Sequence, residues 1–164
     1  MRVATTGGFT SSQLINEEQF LTLPSLDLAG ALEIGEIAKS LAVLRKLPLA
    51  IQVRLGDWII YHASLPGSTS ENHWWIDRKA RVVLLKHHST IYERVSAEER
   101  GIDWHKENNV EDETHAIHGG GLPLITKDDG FIGVLLISGL PQVEDHLLGV
   151  DVLTEFLARK GELL

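Results

Sequence analysis

Two histidines three residues apart run into three glycines in "HAIHGGGLPLI", residues 115–125, and an apolar extended stretch follows. Residues without a Cβ let backbone approach a ligand closely and take positive φ. The successive N–H groups of Gly119, Gly120 and Gly121 can then face an anion or a carbonyl oxygen, with the His118 imidazole beside them to donate, accept or titrate. The run is not a phosphate loop, because G-x-x-x-x-G-K-[ST] is missing and a strand pattern comes next rather than a helix. The structural alternative is a glycine bulge that turns the chain into that strand.

A second group is "SGLPQVEDH", residues 138–146. Glu144 and Asp145 fall in the first turn of a helical pattern, where carboxylates complement the dipole. His146 shares the apolar side with Val143 and Val150, and a buried histidine needs a hydrogen-bond partner. It is either a satisfied core histidine or a ligand-facing one. His62 joins these residues only if the fold brings its strand to the glycine run. In that case His62, His118, Glu144 and His146 would suit a divalent metal, although none of them shows a spacing such as H-E-x-x-H. The metal candidates are then His118, Glu144 and His146.

The third group is basic. Residues 71–88 place Arg78, Lys79, Arg81 and Lys86 against Glu71 and Asp77, just after Trp74 and Trp75. Cations beside flat apolar faces can hold a planar or carboxylate-bearing ligand, with Arg78 and Lys79 meeting the carboxylate. The alternative is a solvated helix face with the tryptophans in a core or subunit contact. No serine sits in a G-x-S-x-G elbow, so a hydrolase triad has no support.

The bulk composition narrows the classes. A chain of 164 residues, 43% of them hydrophobic, suits one domain with its own core. A net charge of -8 argues against a nucleic-acid-binding face. The absence of cysteine excludes a disulfide scaffold, a thiolate zinc site and a cysteine nucleophile. No apolar run approaches the ~20 residues that span a bilayer, and "MRVATTGGFT" lacks the apolar centre of a secretory signal. The expected location is the cytoplasm, with no membrane partner.

These residues need elements to position them. Ser11 or Ser12 caps a short helix to about Glu18, and "QFLTL" follows as an edge strand stopped by Pro24. Asp27 caps a helix whose stripe is Leu28, Leu32, Ile34, Ile37, Ala38, Leu41 and Leu44. Ile51, Val53 and Leu55 alternate as a strand, Gly56-Asp57 turns, and a second strand from Trp58 to Ala63 puts His62 on the face of Trp58 and Ile60. Ser70 caps the next helix, with Asp77 and Arg81 as an i,i+4 pair. Residues 89–113 read as a long loop with a turn or two of helix. "LPLIT", the turn "KDDG" and "FIGVLLIS" form a second hairpin, and Pro141 opens a last helix with Val143, Leu147, Val150, Leu153 and Leu157 inward. Consecutive hairpins call for an antiparallel sheet covered by helices, an α+β arrangement rather than a doubly wound one.

Taken in order, "LPGSTSENHWWIDRKARVV", "HAIHGGGLPLI" and "FIGVLLISGLPQVEDHLLGVDVL" resemble the haem-degrading-domain family, over roughly Glu17 to Leu157. The likeness is to its short cytosolic branch, with L-P-G-T-T, W-I-x-R-K, H-G-G-G-x-P and S-G-L-P-x-x-D-H; Ser68 stands where that branch has threonine. The family includes a haem-binding accessory protein and a glycolate-operon protein. The resemblance implies a profilin-like or PAS-like sandwich with a five-stranded antiparallel sheet, and assembly into dimers or larger rings or octamers. The matching positions are Leu65 to Gly67, Trp75 with Arg78 and Lys79, His118 to Gly121 with Pro123, and Ser138 to Pro141 with Asp145 and His146. Three readings follow. The first is an oligomeric small-ligand-binding protein, with haem or another carboxylate-bearing molecule beside His118. The second is a metal-dependent or acid–base enzyme using His118 or His146. The third is an interaction or scaffold protein whose motifs serve folding.

Overall fold

The computed structural model describes residues 6–162; Met1 to Thr5, part of the N-terminal stretch read above, lie outside them. Six helices and four strands follow in the order α1 (Ser11–Phe20), α2 (Leu28–Leu44), β1 (Ala50–Leu55), β2 (Trp58–Ser64), α3 (Ser70–Lys86), α4 (Thr90–Arg100), α5 (Trp104–Asn108), β3 (Gly121–Thr126), β4 (Gly130–Ser138) and α6 (Gln142–Arg159). The strands form one antiparallel sheet in the order β2-β1-β4-β3. The fold is therefore mixed α+β with helices packed on an antiparallel sheet. No helix among the described residues is long and apolar enough to cross a membrane.

Strand periodicity sorts the two faces. Ile51, Val53, Leu135, Ile137, Leu122 and Leu124 pack against Ile34 and Ile37 of α2 and Leu148, Val152 and Phe156 of α6. Ala50, Val134 and Leu136 point the other way, onto Ile76, Ala80 and Val83 of α3. Outside this sandwich, α1 meets α4 through Leu14, Ile91 and Val95.

Several expectations need correction. The sheet has four strands, not five. The segment expected as the fifth contributes only Leu23, which bridges in parallel to Thr126. Its N–H donates to the Ile125 carbonyl at 2.8 Å, Lys127 donates back at 2.9 Å, and Pro24 supplies no donor to continue the ladder. Residues 89–113 are mostly helical. The caps of α4 were visible in Ser89, whose hydroxyl accepts from the Tyr92 N–H, and in Gly101 in the left-handed conformation. The caps of α1 and α3 are Thr10 and Thr69, one or two residues earlier than expected, and Pro141 is the cap of α6 rather than its first residue.

Two further differences come from tertiary packing. Leu28, Leu32 and Leu44 of α2 are exposed, while the small residues Gly30, Ala31, Gly35, Ala38 and Ala42 face inward. Close approach of α2 to its neighbours selects small side chains over the leucines. On β2 a bulge skips Ile60, so that Val53 pairs with Tyr61 but Arg54 with Ile59. The extra residue reverses the alternation, and His62 lies with Gln52 on the α3 side, opposite Trp58.

Candidate functional site

Helical spacing puts Asn72, Trp75 and Lys79 on one face of α3. That face looks onto the glycine bend from one side and the start of α6 from the other. Between them lies a hollow of about 290 Å³, lined by Glu71, Asn72, Trp75, Lys79, His118, Ser138, Gly139, Leu140, Gln142 and Asp145. The glycine bend and the start of the terminal helix thus share a cavity.

The glycines are required by crowding. A Cβ at Gly120, where φ is +125°, would stand 2.3 Å from the Ile137 carbonyl oxygen and 2.7 Å from Lys79 Nζ. At Gly119 it would meet the Gln142 carbonyl oxygen at 2.2 Å. Two of the N–H groups expected to face a ligand are spent inside the protein. Gly119 donates to Gln142 Oε1 at 3.2 Å and Gly121 to Thr90 Oγ1 at 3.1 Å. The run therefore builds one wall of the hollow without offering those donors to it.

Lys79 and Asp145 form the buried polar centre. Lys79 Nζ donates to the Ile137 carbonyl at 2.9 Å and to Asp145 Oδ2 at 3.2 Å. Both residues are only 2% exposed. Asp145 also accepts from the N–H groups of Leu140 at 3.0 Å and Gly139 at 3.3 Å, which fixes the S-G-L-P corner to the helix start. Burial pushes the Asp145 carboxyl up to about 6, against the opposing pull of Lys79 and the two N–H donors. Burial also lowers Lys79, against the pull of Asp145. Desolvation thus drives both partners towards their neutral forms. His118 meets Trp75 edge to face at 4.7 Å. Burial, aided by the cations of Arg94 and Lys79, holds its imidazole below the ordinary histidine range.

Other expected site residues lie elsewhere. Arg78 is 2% exposed and lies over the rings of Trp74 and Trp75, 4.1 and 4.4 Å from their centroids. Its Nε and Nη2 both donate to the Asp112 carbonyl, at 2.8 and 2.6 Å. It clamps the loop that leads to His118 and does not reach the hollow. Arg81 leaves Asp77 to Arg54, at 2.7 Å, and binds the Thr114 carbonyl instead. His146 turns to Glu17 of α1 at 2.5 Å, and its Nδ1 is buried with no hydrogen-bond partner among the described residues. Glu144 is exposed. His62 is held by Gln52 and Ser64, at 3.1 and 3.0 Å. The expected metal donors therefore do not converge, and the described residues contain no group of three or more His, Asp or Glu placed to hold an ion.

Asn72 and Gln142 were not singled out from the sequence. For Asn72 the available signal was its i,i+3 and i,i+7 spacing to Trp75 and Lys79. Asn72 Nδ2 donates to Ser138 Oγ at 3.3 Å across the hollow.

Comparison with known proteins places the chain in a family and supports the fold. A UPF0303 protein of Streptomyces avermitilis is 37% identical over 150 residues, covering 92% of each chain. The crystal structure of Ybr137w protein superposes with a TM-score of 0.82 at 26% identity, covering 90% of this chain and 88% of that one. The structure of a PduOC–haem complex shares the fold at a TM-score of 0.67 and 16% identity, covering 79% of this chain and 94% of that one. Residues 26–154, which carry β1 to β4, the hollow and most of α6, match the family described as haem degrading protein HbpS-like, and the chain belongs to that family.

Proposed function

We propose that this protein binds a small polar molecule bearing a carbonyl or carboxylate group in the hollow between α3, the glycine bend and the start of α6. One observation carries the reading: three separate segments bring polar side chains to a single concavity around a buried ion pair. Burying such a pair costs desolvation free energy, and a cleft with convergent polar groups and shifted titrations is the general form of a ligand site.

Haem, the ligand of the PduOC complex, does not fit this hollow. Its volume of about 290 Å³ is at the low end for ligand pockets. Among the described residues Trp75 and Leu140 are its only large apolar walls. Arg78 is committed to Asp112 and Lys79 to Asp145, so neither of these cations is free for the propionates. Thermal-shift screening with small oxo- and hydroxy-acids tests the proposal. Members that bind raise Tm in the wild type and not in His118→Ala; a panel that leaves the wild type unmoved removes it. On haem titration, any Soret change should be the same in wild type and His118→Ala.

Acid should strengthen carboxylate binding. Below about pH 6 Asp145 is protonated and no longer competes for Lys79. Calorimetry at pH 5.5 and 7.5 should show the tighter binding at the lower value.

The proposal extends to a cytoplasmic homo-oligomer, as the family resemblance implies. Support comes from the edge strand β2, which exposes Trp58 by 63%, and from the exposed leucines of α2.

A further inference from the structure

We propose that Lys79 is a carbonyl-capturing amine: the hollow admits a small aldehyde, which Lys79 Nζ binds covalently as an imine with Asp145 as proton carrier. The proposal rests on the reading of the hollow as a ligand site and names the chemistry of its ligand at neutral pH.

The position of Lys79 sets it apart. Every other lysine of the chain is exposed, whereas Lys79 is 2% exposed with its ammonium beside the hollow. A glycine at position 120 leaves room at Nζ that a Cβ would invade to 2.7 Å. Among the described residues only Asp145 lies within ion-pair distance of it, at 3.2 Å; Arg78 is the other charge acting on it, and repels it. Burial favours the neutral amine, and a desolvated lysine is the form that attacks carbonyls. At neutral pH a ligand carboxylate would crowd a second anion against Asp145, whose oxygens are held by Gly139 and Leu140 as well. An aldehyde brings no charge.

The step balances without a further reactant. The ammonium passes one proton to Asp145 Oδ2, and the freed lone pair forms the C–N bond while the carbonyl π pair moves to oxygen. Asp145 protonates that oxygen and takes a proton from nitrogen, giving the carbinolamine. It then gives this proton to the hydroxyl, which leaves as water. The product is a protonated imine paired with the Asp145 carboxylate, so one cation and one anion stand on each side.

The test treats the wild-type protein at pH 6.5 with acetaldehyde and sodium cyanoborohydride, followed by peptide mass mapping. Exposed lysines, with ordinary pKa values of about 10.4, are almost wholly protonated there. The expected result is N-ethylation at Lys79 at least about tenfold faster than at any exposed lysine, with no stable adduct when the reductant is omitted. Lys79 unlabelled, or labelled no faster than Lys39 or Lys127, overturns the proposal. Asp145→Asn should slow capture at Lys79 by roughly 100-fold with surface labelling unchanged; an unaltered rate overturns the role of Asp145. If that variant does not fold, the wild-type pH profile decides: labelling of Lys79 must set in at lower pH than that of the exposed lysines. Acetate separates the two readings. Quenching of tryptophan fluorescence by acetate at pH 5.5, without aldehyde capture at Lys79, leaves a binding hollow and removes the nucleophile; neither signal removes both.

Discussion

Lys79 exchanges water for two protein oxygens, and Asp145 exchanges it for one ammonium and two backbone N–H groups. Neither tolerates loss of the other. Lys79→Met should cost about 3–5 kcal/mol in urea denaturation, because it leaves an unpaired buried carboxylate. The cost should shrink in acid. The Asp145 carboxyl titrates near 6 in the folded protein, above the range of a free aspartate, so folding takes up a proton between those values. Its contribution is therefore fully present below about pH 4 and is lost as pH rises through 6. A Lys79→Met deficit as large at pH 4.5 as at pH 7.5 would refute this. Arg78 makes a different demand. Its Nε and Nη2 converge on the one Asp112 carbonyl oxygen while the guanidinium plane lies against tryptophan rings, an arrangement an ammonium cannot reproduce. Arg78→Lys should therefore speed amide exchange across residues 111–118 without unfolding the sheet.

Among the elements, α1 is held at its end by two adjacent carboxylates. Glu17 meets His146, and Glu18 meets His88 at 2.8 Å and the Ser89 N–H at 2.8 Å. The hydrogen bond to Glu18 raises His88 above the ordinary histidine value. Its stabilisation is fully present below that value, about 6.5, and is lost as pH rises through the higher folded one. The Tm difference between wild type and His88→Gln should accordingly be larger at pH 5.5 than at pH 8.5. The glycine bend is an element-scale constraint too. Gly101 has φ +64° with open space around it, whereas Gly120 faces backbone. Gly101→Ala should cost about 1–2 kcal/mol for the left-handed backbone alone, and Gly120→Ala clearly more, measured by chemical denaturation.

Across the molecule, the sheet is covered on both faces, but no other strand among the described residues seals its β2 edge. Trp58, Ile59, Leu28, Leu32 and Leu44 remain exposed. If the chain self-associates through this region, Trp58→Glu should lower the mass measured by light scattering. An unchanged mass would direct the search for the contact elsewhere.

Local pattern alone placed the two hairpins, α2, α3 and α6, since period-2 and period-3.6 apolar spacing and turn residues are read from near neighbours in the chain. It also pointed to Lys79 and His118, and the family resemblance added Asp145. Three-dimensional packing decided the rest. The bulge at Ile60 moved His62 to the α3 face of the sheet, where Gln52 and Ser64 hold it outside the hollow, the close approach of α2 put its leucines outside, and Glu17, 129 residues from His146 in sequence, took that histidine from the candidate site. Spacing within one helix cannot report which distant side chain will satisfy a buried polar atom. That choice is made when the elements dock and each desolvated group takes the partner within reach.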